Sequence, residues 1–134
     1  MRLYDHIDLR VRNLEEVRSF YEIFLPALGF GRDAKIEGWI QFENSSEEGV
    51  ADFFGVTESA SHVANECRVA FRAFSVAEVD RLAEIVIGAG GRNIEGPAYE
   101  DSNYYAVFFE DPCGNRFEIC YRAGVSPEWP LDKT

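Results

Sequence analysis

The chain has 134 residues, 46% apolar and 14% aromatic, with 13 basic side chains against 24 acidic and a formal net charge of −11. A chain this long can bury a sizeable core as one compact domain or two tightly fused half-domains. The acidic balance argues against nucleic acid as a partner, because gripping phosphates needs a basic face. The longest apolar runs fall well short of the roughly 18 residues of a membrane helix, so no membrane partner is expected. Three cysteines, Cys67, Cys113 and Cys120, are odd in number and lack CxxC spacing. That pattern points away from a disulfide framework or zinc knuckle and toward a reducing compartment. The opening MRLYDHIDLRV is already strand-like and has no leader pattern, so a cytoplasmic location is expected.

In residues 6–12, His6, Asp8, Arg10 and Arg12 alternate with Ile7, Leu9 and Val11. A period of two marks a strand with one face on a core. Asn13 offers an N-cap with Glu16 three residues on, and Val17, Phe20, Tyr21 and Phe24 follow at helical spacing. Pro26 and Leu28-Gly29-Phe30 are expected to end that helix. Strands are predicted over 37–43 and 49–56, with a weaker one near 30–35 and an acidic turn from Glu43 to Glu48. The polar stretch 57–66 reads as a connector.

The pattern then repeats. Arg68, Ala70 and Arg72 alternate with Val69 and Phe71; Ser75 stands where Asn13 stood, and Glu78 completes a second capping pair. Val79, Leu82, Ile85 and Val86 form the apolar stripe of a second helix, stopped by Ala89-Gly90-Gly91. Strands are predicted at 92–95, 104–110 and 116–122, with a turn at Asp111-Pro112-Cys113-Gly114-Asn115. The organisation is therefore two βαβββ modules, 1–56 and 67–122, joined by 57–66 and followed by a tail at 123–134.

This arrangement resembles the vicinal oxygen chelate superfamily, which includes glyoxalase I, extradiol dioxygenases, fosfomycin-resistance enzymes and bleomycin-resistance proteins. The resemblance rests on DHIDLRV, SFYEIFLPALGF, the second helix ending GAGG, and YYAVFFEDPCGNRFEIC, in this order. It implies an α+β fold in which the two modules form a curved mixed sheet around a cup. It also implies a divalent metal and a small molecule within that cup, and a homodimer.

Strand parity aims side chains at that cup. If Ile7, Leu9 and Val11 pack inward, then His6, Asp8 and Arg10 face the cup, as do Arg68 and Arg72, and Glu118 and Cys120. Asp52 and Phe54 are assigned to the cup on the same reasoning. Of the adjacent Tyr104 and Tyr105 only one can line it, and Tyr105 is assigned there. The resemblance implies metal ligands at His6, Glu118 and Asp52, with catalytic roles for Glu118, His6 and Arg68. Arg10, Arg72, Asp8, Phe54 and Tyr105 are expected to contact the substrate.

Arg68 departs from the family pattern, since relatives usually carry histidine or glutamine there. Arginine keeps its proton and has no lone pair to donate. A guanidinium about 4 Å from a dication would cost roughly 8 kcal/mol at an effective dielectric near 20. Two readings stay open. In one, Zn, Ni, Mn or Fe is retained on three ligands and acts as a Lewis acid on a substrate oxygen. In the other, there is no metal, and Arg68 bridges the carboxylates, chiefly Glu118. Arg68 would then hold an oxyanion while Glu118 or His6 moves a proton, in a lyase or isomerase style. An alternative function is a bleomycin-resistance-type protein that sequesters a drug without catalysis.

Overall fold

The computed structural model describes residues 3–44 and 52–124. The start of the strand expected at 49–56, most of the acidic run and the tail with Trp129 lie outside the described residues. The first module runs β1 (His6–Val11), α1 (Leu14–Leu28), β2 (Arg32–Asp33), β3 (Ile40–Glu43) and β4 (Phe53–Glu58). The second runs β5 (Arg68–Arg72), α2 (Val76–Ala89), β6 (Arg92–Asp101), β7 (Tyr104–Glu110) and β8 (Arg116–Arg122).

Both helices start as their sequences dictate. The Asn13 side chain accepts from the Glu16 N–H at 3.2 Å, and Ser75 Oγ accepts from the Glu78 N–H at 3.0 Å. Pro26 sits in the last turn of α1 instead of ending it. The stop is Gly29, whose φ of +116° suits a residue without Cβ, and whose N–H donates to the Pro26 carbonyl.

Each module folds its four strands into a mixed sheet with the same order, β1-β4-β3-β2 and β5-β8-β7-β6. In both, the opening strand runs parallel to the last one, and the other neighbours are antiparallel. The internal repeat is thus present as two α+β modules. The two opening strands β1 and β5 belong to different sheets and form no ladder with each other. Strand β6 extends well past residue 95. Gly96-Pro97 looks like a break in sequence, but β6 is an edge strand with irregular register, where a missing N–H is tolerated.

One core serves both modules. Phe54 of β4 packs against Tyr21 of α1, Phe71 of β5 and Phe117 of β8, with ring centroids 6.0–6.2 Å apart. Phe24 reaches Phe71, Phe109 and Phe117 in the second sheet. A polar weld joins the modules beside this core. The fully buried Asp111 accepts from the Tyr21 hydroxyl at 2.6 Å and from the Cys113 and Asn115 N–H groups. Asn115 Nδ2 donates to the Arg10 carbonyl at 3.0 Å, and its Oδ1 meets the His62 ring at 3.1 Å. His62, in the stretch 57–66 read as a connector, is therefore part of the seam. Since the inner faces of both sheets share this core, their outer faces point away from it.

Candidate functional site

The outer face of the first sheet carries His6, Asp8 and Arg10 on β1, all exposed. The parallel register sets His6 beside Phe53 and Asp8 beside Gly55. His6 stacks on Phe53 with centroids 4.5 Å apart and rings within 2° of parallel. Its Nδ1 lies 2.7 Å from Asp5 Oδ1. That contact orients the ring and leaves Nε2 directed elsewhere. Arg10 is paired with Asp8 at 2.6 Å, so the cation expected to bind substrate is already neutralised by its neighbour. Trp39, Phe53 and His6 line a cavity of about 230 Å³ on this face, with Asp8, Gln41 and Thr57. Thr57 Oγ1 is buried there without a hydrogen-bond partner among the described residues.

Two assignments on β4 are corrected. Phe54 does not face outward; it is fully buried in the core, and its neighbour Phe53 takes the outer face. Parity places Asp52 with Phe54 and not with His6. Asp52 accepts from Asn44 Nδ2 at 3.1 Å and lines a different cavity with Tyr4, Phe30 and Arg72. The cause is a one-residue offset. In a Phe-Phe doublet either ring can be the core residue, and slipping by one exchanges the faces.

The second sheet's outer face is built in rows across β5, β8 and β7. Arg68 aligns with Arg116 and Glu110; Ala70 with Glu118 and Phe108; Arg72 with Cys120 and Ala106; and Arg122 with Tyr104. Glu118 is only 6% exposed, and its carboxylate accepts from the Tyr104 hydroxyl. Burial, and then Glu118, push the Tyr104 phenol up to about 12, so it remains a protonated donor. Burial also raises the Cys120 thiol, aided by Glu118, so Cys120 is not poised as a nucleophile. The tyrosine assignment reverses: Tyr104 lines the face, while Tyr105 points to the helix side and donates to Asp80 at 2.6 Å. Arg68 does not bridge Glu118. Its guanidinium lies over the Phe108 ring, 4.9 Å from the centroid, one row along from Glu118.

Within one chain His6, Asp52 and Glu118 do not come together: His6 and Glu118 stand on outer faces of different sheets, and Asp52 lines a separate cavity with Tyr4, Phe30 and Arg72. Among the described residues, no three His, Cys, Asp or Glu side chains group closely enough to share an ion. Glu118 is engaged by Tyr104, and Arg68 can supply no lone pair.

The Glyoxalase/Bleomycin resistance protein/Dioxygenase superfamily model matches residues 3–119. The chain belongs to this superfamily. Solved structures agree on the fold. A glyoxalase/bleomycin resistance protein from Albidiferax ferrireducens T118 is 25% identical, with a TM-score of 0.71 over 90% of this chain and 99% of that one. Fosfomycin resistance protein FosX from Mesorhizobium loti is 18% identical, with a TM-score of 0.65 over 92% and 95%. A mutant FosX from Listeria monocytogenes, solved with Mn(II) and a dihydroxypropylphosphonic acid, is 19% identical, with a TM-score of 0.66 over 99% and 98%. No functionally curated protein matches the sequence. Among the described residues, no helix is long and apolar enough to cross a membrane.

Tyr104, Phe53, Trp39, Gln41 and Thr57 carry no site assignment from the sequence alone. Tyr104 is recoverable in principle, since its parity with Arg122, Cys120 and Glu118 follows once β7 and β8 are paired. Phe53 is recoverable only from the β1–β4 register.

Proposed function

We propose that the protein binds a small organic molecule between the outer faces of the two modules, without the tightly held metal of its metal-dependent relatives. The observation that carries this reading is Arg68, a permanent cation in the position that the family resemblance gives to a neutral ligand. The state of Glu118 supports it, because its carboxylate is satisfied by Tyr104. In a metal-free site, Glu118 and Tyr104 would hold and move a proton, and His6 would offer Nε2 as a second acid or base. Arg68, held over Phe108, would stabilise developing negative charge on a substrate oxygen.

Within one chain the His6 face and the Glu118 face look away from a common core. A ligand touching both therefore needs the first module of one copy and the second module of another, so a homodimer belongs to the proposal. A cytoplasmic, reducing location fits the described cysteines, which are all free thiols.

A second reading, binding without turnover, is favoured by the slot of the first sheet. Trp39 and Phe53 provide aromatic walls in a slot whose Asp8 carboxylate is already paired with Arg10, a combination that suits a flat aromatic compound. The test is metal analysis of protein dialysed against Ni²⁺, Zn²⁺, Mn²⁺ and Fe²⁺, followed by a thermal-shift panel of small molecules with and without metal. The proposal expects sub-stoichiometric metal and ligand shifts that do not need it. One tightly held metal per chain, required for every ligand shift, would overturn it.

A further inference from the structure

The arginines of this chain are sharply divided. In the first module Arg10, Arg12, Arg18 and Arg32 each pair with a carboxylate, and on α2 Arg81 pairs with Glu78. The remaining described arginines are Arg68, Arg72, Arg92, Arg116 and Arg122, all on strands of the second sheet. Among the described residues none of these five pairs with a carboxylate. In a protein of net charge −11 acidic partners are abundant, so unpaired guanidinium groups gathered on one sheet mark a place kept for an anion from outside.

Two of them meet at one cavity. Where β5 and β8 end, Arg72 and Arg122 line a space of about 220 Å³ together with Ala73, Phe74 and Tyr121. The Arg122 guanidinium lies over the Tyr104 ring, 4.0 Å from its centroid, and this stacking holds its plane. Phe74 is 81% exposed, yet its backbone is fixed, with its N–H donating to Glu78 Oε1 at 2.8 Å. Of the nearby acidic groups, Glu118 accepts from Tyr104, and Asp52, which shares a second cavity with Arg72, accepts from Asn44. The Cys120 thiol between the two arginines stays protonated.

From this geometry we infer that the cavity is a subsite for an aromatic carboxylate. Its ring lies against Phe74 and Tyr121, and its carboxylate is held by the two forked guanidinium groups of Arg72 and Arg122. Forked N–H donors match the two oxygens of a carboxylate, and a flat ring matches aromatic walls better than a hydrated inorganic anion does. The volume lies below the range for drug-sized ligands, which limits the occupant to about one ring. The inference deepens the proposed function by naming a class of ligand for the end of the second sheet, where β5 and β8 stop. It needs neither the dimer nor the metal-free reading.

The test uses the full chain and four probes, benzoate, benzamide, cyclohexanecarboxylate and inorganic phosphate, titrated while amide shifts are followed by two-dimensional NMR. Benzoate is expected to shift the amides of Ala73, Cys120 and Arg122. Benzamide, which lacks the charge, should bind about tenfold or more weaker, as should benzoate to Arg72→Gln or Arg122→Gln. Phe74→Ala should weaken benzoate but leave cyclohexanecarboxylate less affected. Arg18→Gln, which alters a paired arginine on α1, should change nothing at these amides. Equal binding of benzoate and benzamide, unchanged benzoate affinity in both arginine variants, or phosphate binding as tightly as benzoate would each overturn the inference. Metal titration and sedimentation read the proposed function separately, so the two can fail independently.

Discussion

Replacing Phe53 and Phe54 in turn by alanine tests which side of β4 faces a ligand. Phe54 is fully buried, with Tyr21, Phe30, Phe71 and Phe117 around it at centroid distances of 6.0–6.2 Å. Removing a ring from such a position leaves a cavity, and the expected loss is about 3–5 kcal/mol. For a domain stable by roughly 5–15 kcal/mol that is a large share of the total. The melting temperature should fall by on the order of 10–20 °C. Phe53 stacks on one exposed partner, His6, so Phe53→Ala should cost only about 1 kcal/mol. Urea unfolding followed by circular dichroism gives both numbers, and the midpoint shift should be several times larger for Phe54→Ala. Equal losses, or a larger loss for Phe53→Ala, would mean that β4 is turned the other way and that the first-sheet site is wrongly built.

Tyr21→Phe removes one of the donors to the buried Asp111 and should cost about 1–3 kcal/mol in the same urea assay, with Asp111→Ala costing more; a neutral Tyr21→Phe would mean the weld between modules is not formed. The folded state holds the Tyr104 proton up to about 12, against an ordinary value of 10.0, so the stability from this group is complete below pH 10 and is lost as pH rises from 10 toward 12. Tyr104→Phe should flatten that alkaline decline, and an unchanged slope would show that Tyr104 does not hold Glu118. Equilibrium sedimentation at micromolar concentration should give twice the 15.2 kDa chain mass, and a single 15.2 kDa species would remove the shared cup.

The repeat was legible because both copies use the same devices: alternating strands, a side-chain cap three residues before a glutamate, and a glycine stop. Strand β8 falls at 116–122 as expected, since Phe117 and Ile119 alternate with Arg116 and Glu118 and a five-residue turn fixes its start. Faces were harder to read where the pattern is doubled. Phe53-Phe54 and Tyr104-Tyr105 each offer two equivalent rings, and only the ladder register decides between them. Partnerships within a face were less legible still. Arg68 and Glu118 share a face, but they stand in different rows, and Tyr104 reaches the carboxylate from across the sheet. Charge pairing on β1 was open to local reading, because Arg10 and Asp8 are two residues apart on one strand face and meet directly.

Whether Arg68 keeps a metal out is measured most directly by isothermal titration of Zn²⁺ and Ni²⁺ into the wild type, Arg68→Ala and Arg68→His. The wild type should bind weakly. Arg68→His removes a fixed positive charge and supplies a lone pair, so its affinity should rise by about two powers of ten or more, on the order of 3 kcal/mol. Arg68→Ala should gain less, because it relieves repulsion without adding a ligand. A wild type that already binds below micromolar concentration, with nothing gained in Arg68→His, would contradict the metal-free site and return the protein to its metal-dependent relatives.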